Sequence, residues 1–272
     1  MKAILPAVTL CAVSAAGPEI TRNSDVARIA EGNFCEPETV LAMPDGSLLV
    51  SNVCDFRQPG TGFLTRLDHD GEVLAWRAVD GLDAPLGMAL HGDELLVVDA
   101  NRIRRFALPE LAPGAVLPLE TAVANDIAVD PNGTIYVTDT GRGEVIVIDA
   151  DSGPEPLLGA GRFPGANGIA ATADTLLVGG EALWQVTLAT GAIERLGPAW
   201  LGDIDGIELE ADGTIQVTPV GGPLIRLRDG AVIDVIGGPG VSSANHGYAA
   251  AFGLALIPTG FDNTVIAVRL SP

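Results

Sequence analysis

A hairpin pattern that returns along the chain is the feature that most limits how these 272 residues can fold. In one copy, residues 123–139, an alternating apolar run leads through the turn Pro131-Asn132-Gly133 into a second alternating run. This is the pattern of a β-hairpin. Similar turns stand before alternating runs near residues 45, 92, 174, 212 and 253. Repeats with a period of about 20–50 residues predict a repeat architecture, because one unit alone cannot bury its apolar face.

One or two further alternating runs follow each hairpin, for example residues 63–68 and 144–149. Four short strands per unit with Gly-rich turns predict an all-β fold, a six-bladed β-propeller with four-stranded antiparallel blades. The sixth unit ends with residues 264–270 and has room for three strands only. We expect residues 25–30 to supply the missing strand, which closes the ring and removes a free sheet edge.

The first sixteen residues have the composition of a secretory signal. Lys2 precedes an apolar run without acidic residues, and small residues at 13–16 suit cleavage. We therefore divide the chain into a signal peptide, residues 1–16, and a single propeller domain, residues 17–272. The predicted location is the periplasm or the exterior of the cell. Cys35 and Cys54 flank the first hairpin, and an oxidising compartment would allow a disulfide between them.

Charge and hydropathy exclude two classes of partner. The formal net charge is −20, with 35 acidic and 15 basic residues, so the phosphates of a nucleic acid would be repelled. Apart from the N-terminus, no run approaches the ~18 apolar residues of a membrane span. We expect a small molecule as the partner.

Polar residues recur at the start of the first strand of each unit. In a propeller these strands line the central channel, so their first residues converge on the axis at one face. Five of the six residues placed seven before the turn are polar, and the sixth position is a leucine. The six are Glu38, Leu86, Asn125, Asn167, Asp205 and His246.

Two carboxylates and two amide oxygens in this register are suited to a hard divalent cation. We predict a metal site formed by Glu38, Asn125, Asn167 and Asp205. Ca²⁺ is the expected ion, with Mg²⁺, Mn²⁺ and Zn²⁺ as alternatives. The competing interpretation is that these residues only serve backbone turns at the channel mouth.

The blade starts resemble those of the gluconolactonase/regucalcin family, a group of six-bladed propellers related to paraoxonases and bacterial lactonases. The similarity rests on residues 34–40, 124–130, 166–170 and 204–207 taken together. It implies that Glu38, Asn167 and Asp205 bind the catalytic metal, and that Asn125 contacts the metal or the substrate. Glu36 competes with Glu38 but is out of register.

The resemblance also implies the reaction, hydrolysis of lactones or related esters. Paraoxonases have a histidine at the second blade, where this chain has Leu86, so we do not expect paraoxonase-type base chemistry. For the general base we rank Asp205 first, Asp126 second and His246 third. His246 has the suitable unperturbed pKa.

The sequence therefore predicts a divalent-metal-dependent hydrolase of a lactone or related ester. The alternative is a non-catalytic propeller that binds a ligand or a protein and holds a structural metal, since the same fold hosts both functions. Loop residues 54–62 are the longest connection at the predicted site face and could form a lid. Within this loop, Arg57 could contact an anionic substrate group, unless the loop is simply exposed to solvent.

Overall fold

Six four-stranded antiparallel sheets form the computed structural model, which describes residues 26–149, 153–237 and 243–270. The predicted six-bladed propeller is therefore confirmed. The predicted signal peptide, residues 1–16, lies outside the described residues. Within the described part of the chain, no helix is long and apolar enough to cross a bilayer.

The first strand to be described belongs to the last blade, and is β1 (Val26–Glu31). The strands of blade 1 are β2 (Pro37–Ala42), β3 (Leu48–Asn52), β4 (Gly62–Leu67) and β5 (Val73–Leu82). Those of blade 2 are β6 (Pro85–His91), β7 (Glu94–Asp99), β8 (Arg102–Ala107) and β9 (Ala112–Pro118). Those of blade 3 are β10 (Ala124–Val129), β11 (Ile135–Asp139), β12 (Glu144–Asp149) and β13 (Gly153–Pro156).

The second half of the chain repeats this arrangement. The strands of blade 4 are β14 (Ile169–Ala171), β15 (Thr175–Val178), β16 (Leu183–Thr187) and β17 (Ala192–Leu196). Those of blade 5 are β18 (Ile204–Leu209), β19 (Ile215–Pro219), β20 (Leu224–Arg228) and β21 (Ala231–Ile236). Blade 6 has β22 (Gly247–Ala249), β23 (Leu254–Thr259) and β24 (Thr264–Arg269), with a 3₁₀ turn at Ala250–Phe252.

Blade 6 is completed by the N-terminal strand, as the sequence predicts. β1 pairs antiparallel with β24, and the register runs from Val26 opposite Val268 to Glu31 opposite Thr264. The sheet order is β1-β24-β23-β22. The outer edge of β24 is thereby covered, which limits edge-to-edge association.

The apolar core lies between neighbouring blades. One cluster joins blades 2 and 3 through Leu96, Val98, Ile127 and Val137, all of them buried. The alternating pattern produces this arrangement because one face of each strand points to each neighbouring blade. The middle strands have sheet neighbours on both sides and a packed blade on each face, which is why β3 and β11 are buried throughout.

Chain direction assigns every loop to one of two faces. The inner strand of each blade begins at one face of the ring, beside the polar residues of the predicted metal site, and ends at the opposite face. The connections from the second to the third strand, and from one blade to the next, therefore lie at the first face. We call it the mouth face, and the face with the inner hairpin turns the turn face.

Candidate active site on the propeller axis

Buried acidic or amide side chains fix the points at which the inner strands begin. Asp99 Oδ1 accepts hydrogen bonds from the backbone amides of Asp83 and Ala84 at 2.7 and 2.8 Å. In blade 3, Asp139 accepts from Ala122 and Val123 at 2.7 and 3.0 Å. These bonds satisfy amides of the incoming chain that have no strand partner. They hold the first residues of β6 and β10 at the mouth face.

Glycines then allow the inner strands to approach one another closely. A Cβ on Gly168 would lie 2.1 Å from the Asp205 carbonyl oxygen, and one on Gly247 would lie 2.0 Å from that of Val40. Gly87 and Gly206 are similarly confined by the next blade. At each of these glycines the inner strand lies against the inner strand of the next blade, close to the axis. The residue before each glycine is therefore also close to the axis. In blades 4, 5 and 6 that residue is Asn167, Asp205 or His246.

Glu38 and Asp205 meet at a cavity of about 180 Å³ on the mouth face. Asp205 is 5% exposed, and burial together with the charge of Asp126 raises its pKa to about 7. Burial is also the main reason that the pKa of Glu38 is raised well above its usual range, and the charges of Asp205 and Asp126 add to the effect. The two carboxyls therefore hold their protons to a higher pH than usual, and a positive charge placed between them would lower both pKa values.

Two buried oxygens at the same place have no hydrogen-bond partner in the protein. They are Asp205 Oδ1 and Asn167 Oδ1. The Asn167 side chain also hydrogen-bonds the Asp205 carboxylate, which partly offsets the rise in the pKa of Asp205. Leaving buried acceptors unsatisfied is costly. An oxygen-seeking ligand would remove that cost, and a divalent cation fits this donor set.

Asn125 is the second side-chain amide at the channel mouth and is partly buried. Its Nδ2 donates to Thr140 Oγ1 at 3.1 Å, and Thr140 Oγ1 donates to the Ala166 carbonyl oxygen at 2.6 Å. These two hydrogen bonds connect the Asn125 amide to the segment before blade 4 and fix its orientation. Among the described residues, no three His, Cys, Asp or Glu side chains form a metal-binding group. A metal here would therefore depend on the Asn oxygens.

Asp126 lies deeper in the channel and is held on several sides. Its carboxylate accepts from the backbone amides of Ile127 and Ile169 at 2.8 and 3.0 Å, and the Asn245 side chain also bonds it. Burial nevertheless raises its pKa to about 7. The carboxylate thus links blades 3, 4 and 6.

His246 is 2% exposed, and burial lowers its pKa to about 3. Its Nδ1 is 3.0 Å from Thr218 Oγ1, and its Nε2 has no protein partner. The ring lines a second cavity of about 290 Å³ on the turn side of the axis, as Asp126 does. At neutral pH it is an uncharged imidazole and a weak base.

The remaining sequence candidates lie at the edge of the site. Leu86 is buried against Val53 and Ala84, so blade 2 contributes an apolar wall. Glu36 is exposed, has a φ of 49° and lines the mouth-face cavity beside Glu38. Phe56 also lines that cavity, whereas Arg57 does not appear in its described lining. Arg57 is exposed.

Three polar residues of the channel were not anticipated from sequence. They are Thr39, Asn245 and Glu208. Thr39 and Asn245 are buried, and the Thr39 Oγ1 atom has no partner. Burial and the charge of Asp126 raise the pKa of Glu208 to about 8. The sequence analysis considered only the residue placed seven before each turn, so it missed other residues of the same inner strands that also face the channel.

Cys35 and Cys54 form a disulfide, with a Cα–Cα distance of 4.7 Å. The bond joins the segment before β2 to the connection between β3 and β4, beside the mouth-face cavity. The Cys54 amide also donates to the Cys35 carbonyl oxygen at 3.0 Å. The loop that carries Phe56 is therefore attached covalently at its start.

Comparison with known proteins supports the fold. The NHL repeat model matches residues 121–148, which include β10, β11 and nearly all of β12 in blade 3. A gluconolactonase from Xanthomonas campestris has 18% sequence identity and a TM-score of 0.74, over 93% of this chain and 95% of that one. Virginiamycin B lyase from Staphylococcus aureus has 14% identity and a TM-score of 0.61, over 90% and 89%.

A further structure, a streptogramin B lyase, has 15% identity and a TM-score of 0.63, over 90% of this chain and 87% of that one. No curated protein sequence matches the chain. The resemblance inferred from the blade starts is thus confirmed as a likeness of three-dimensional structure. At these identities the likeness establishes the propeller fold, and the neighbours include both a hydrolase and lyases.

Proposed function

We propose that the protein is a divalent-metal-dependent hydrolase of a lactone or related ester. The observation that carries the proposal is the pair of unsatisfied buried oxygens, Asn167 Oδ1 and Asp205 Oδ1, next to Glu38. Glu38, Asn125, Asn167 and Asp205 would hold the ion, with Ca²⁺ expected. The gluconolactonase from Xanthomonas campestris adds support, because that protein has the same fold.

A bound divalent cation would polarise the substrate carbonyl and make a neighbouring water more acidic. The residues of the chain perform the remaining tasks. Asp205 takes the proton from the attacking water, which adds its oxygen to the acyl carbon. The same proton then passes to the alkoxide that leaves when the ester C–O bond breaks. A carboxylate with a perturbed pKa in a cavity is well suited to this transfer.

The other channel residues hold this arrangement in place. Asn167 donates to Asp205 and orients its carboxylate. Asp126 is too firmly bonded by the amides of Ile127 and Ile169 to move toward a substrate. We therefore assign Asp126 a positioning role across blades 3, 4 and 6. His246 faces the turn-side cavity and is not assigned to the reaction.

The proposal extends to location. The Cys35–Cys54 disulfide and the signal-like residues 1–16 both support the periplasm or the cell exterior. A small-molecule substrate fits a cavity of about 180 Å³.

Metal titration combined with turnover of a small lactone panel tests the function. We expect Ca²⁺ binding by calorimetry, hydrolysis that stops with chelator, and loss of both in Asp205→Asn. The matched control is Asp203→Asn, the same change at an exposed residue two positions away, whose φ of 52° suits Asn. Metal binding without hydrolysis would favour the non-catalytic alternative. Unchanged metal content and turnover in Asp205→Asn would refute the site.

A further inference from the structure

Exposed large apolar side chains gather at the mouth face. Nine such residues are exposed within the described part of the chain, and five of them lie in connections at that face. Three others are on outer strands and one, Phe252, is at the turn face. The five are Phe56, Val123, Trp200, Val220 and Phe261. Clustered exposed apolar residues mark interaction surfaces, whereas scattered ones need no explanation.

Three of the five line the cavity above Glu38 and Asp205. Phe56 and Phe261 are 64% and 86% exposed, and with Val220 they form its rim. Pro37 and Val53 add further apolar wall. A substrate in this cavity would contact these side chains.

The polar side chains that line the same cavity are few. Ser243 Oγ hydrogen-bonds the carbonyl oxygens of Pro219 and Gly222, both at 2.8 Å. Glu38 and Asp205 belong to the proposed metal site. Apart from Ser243 and these two carboxyls, Glu36 has the only polar side chain among the described lining residues. A polyhydroxylated sugar lactone would lose hydration at this rim and find few polar side chains to replace it.

We infer that the substrate is a lactone with an apolar side chain, and that Phe56, Val220 and Phe261 bind that side chain. This inference rests on the proposed function, because it assigns a substrate class to the same site. The lactone ring would lie over Glu38 and Asp205, and its alkyl or aryl substituent would extend outward along the rim. The Cys35–Cys54 disulfide anchors the loop that presents Phe56.

A series of δ-lactones with one ring size separates the substrate classes. We would measure kcat/KM on the metal-loaded protein for δ-valerolactone, δ-octalactone, δ-decalactone and glucono-δ-lactone. Burial of a methylene group is worth ~0.8 kcal/mol, or about fourfold. We expect δ-octalactone to exceed δ-valerolactone by at least about tenfold, and glucono-δ-lactone to fall below both. A flat series, or a preference for glucono-δ-lactone, would overturn the inference and leave the hydrolase assignment intact.

Rim variants test the residues. Phe56→Ser and Phe261→Ser should each lower the δ-decalactone to δ-valerolactone ratio of kcat/KM by about threefold or more. Phe252→Ser, an exposed phenylalanine at the turn face, should leave the ratio unchanged. An unchanged ratio in both rim variants would refute their assigned role. All three side chains are exposed, so loss of folding does not obscure the result.

A binding measurement separates this inference from the failure of the proposed function. Saturation-transfer NMR on the chelator-treated protein should show δ-decalactone bound through its alkyl protons, with weaker signals for Phe56→Ser. Glucono-δ-lactone should give no signal. If no lactone is hydrolysed but this pattern holds, the apolar site stands and the hydrolase proposal fails. Absence of δ-decalactone binding would overturn the inference regardless of turnover.

Discussion

Four carboxyl groups along the axis, at Glu38, Asp126, Asp205 and Glu208, have raised pKa values, mainly because they are buried. A group whose pKa is higher in the folded than in the unfolded chain takes up protons on folding. Stability is therefore lost as the pH rises from the unfolded pKa to the folded pKa. A metal-free protein should carry this destabilisation in full above the upper limit.

Glu208 offers the clearest test of that linkage, because it is outside the proposed ligand set. Its pKa rises from 4.5 to about 8, so its destabilising effect grows between those pH values. We expect Glu208→Gln to be more stable than the wild type at pH 8, by at least ~1 kcal/mol. At pH 5 the difference should be much smaller. Urea denaturation in chelator at both pH values measures it.

Glu194→Gln is the control for this comparison, since Glu194 is exposed on an outer strand. Its stability should follow that of the wild type at both pH values. If the wild type and Glu208→Gln were equally stable at pH 8, ionisation of Glu208 would not destabilise the folded protein, and the prediction would be wrong.

Ca²⁺ should stabilise the protein more at pH 8 than at pH 5. At the lower pH, Glu38 and Asp205 hold protons that the ion must displace, because the pKa of each is raised. At the higher pH the repulsion between them is relieved by the ion. We expect the rise in Tm at a fixed Ca²⁺ concentration to be larger at pH 8. The reverse order would contradict binding at these two carboxylates.

The residues closest to the axis were largely predictable, and their surroundings were not. Glu38 and Asp205 line one cavity. Their positions relative to the hairpin turns are the same in the sequence, so both lie at the same depth along the channel. The burial of His246, which lowers its pKa to about 3, depends on packing against blade 5 that no local pattern records. The same holds for Asn245, because its hydrogen-bond partner Asp126 is far from it in the sequence.

At the scale of single elements, the connection between β3 and β4 depends on its disulfide. Cys35 and Cys54 are 19 residues apart, and closing a loop of that size stabilises by about 3 kcal/mol in the chain-entropy model. We expect Cys35→Ser/Cys54→Ser to lose stability of that order in urea denaturation. A reductant should lower wild-type stability and leave the double variant unchanged. Equal stability of the two proteins without reductant would contradict a stabilising role.

Close approach of the inner strands is the second element-scale feature. Gly247→Ala places a Cβ 2.0 Å from the Val40 carbonyl oxygen, so β22 and β2 must separate. We expect a loss of about 1–3 kcal/mol, the usual range for overpacking. Thermal or urea unfolding measures the loss. Gly260→Ala is the control, because its Cβ would meet its nearest neighbour, the Pro37 carbonyl oxygen, at 3.6 Å. Equal stability of the two variants would refute the tight contact.

Strand number and order could be predicted because alternation and turn residues are local signals. The approach of neighbouring inner strands could not, since it depends on which residue of one blade faces which residue of the next. Gly168, Gly206 and Gly247 lie in short sequence contexts that are also typical of turns. Only the ring geometry shows that they are there because no Cβ fits.

The whole molecule has two unlike faces. Among the described residues, five large apolar side chains are exposed at the mouth face and one, Phe252, at the turn face. Ion pairs occur at both faces, for example Arg102–Asp83 at the mouth face and Arg228–Asp212 at the turn face. This asymmetry is consistent with a ring that takes up its ligand from one side only. This asymmetry is hard to predict from the sequence, because the exposed apolar residues of the mouth face belong to different connections.

Completeness of the ring can be tested by truncation. Removal of residues 1–31 takes away β1 and exposes the edge of β24. We expect lower stability and self-association through that edge, measured by urea denaturation and light scattering. Removal of residues 1–16, the predicted signal peptide, is the matched control and should leave both properties unchanged. A monomeric, fully stable chain lacking residues 1–31 would show that closure by β1 is dispensable.

Pairing of β1 with β24 also fixes the order of events during biosynthesis. The two strands lie far apart in the sequence, so blade 6 cannot be completed until β24 has been synthesised. The entropy lost on closing such a long loop adds to the barrier for this step, and contacts between distant residues slow folding in general. Blades 1–5 are therefore expected to form before the ring closes, and the seam between β1 and β24 would be the last part of the propeller to assemble.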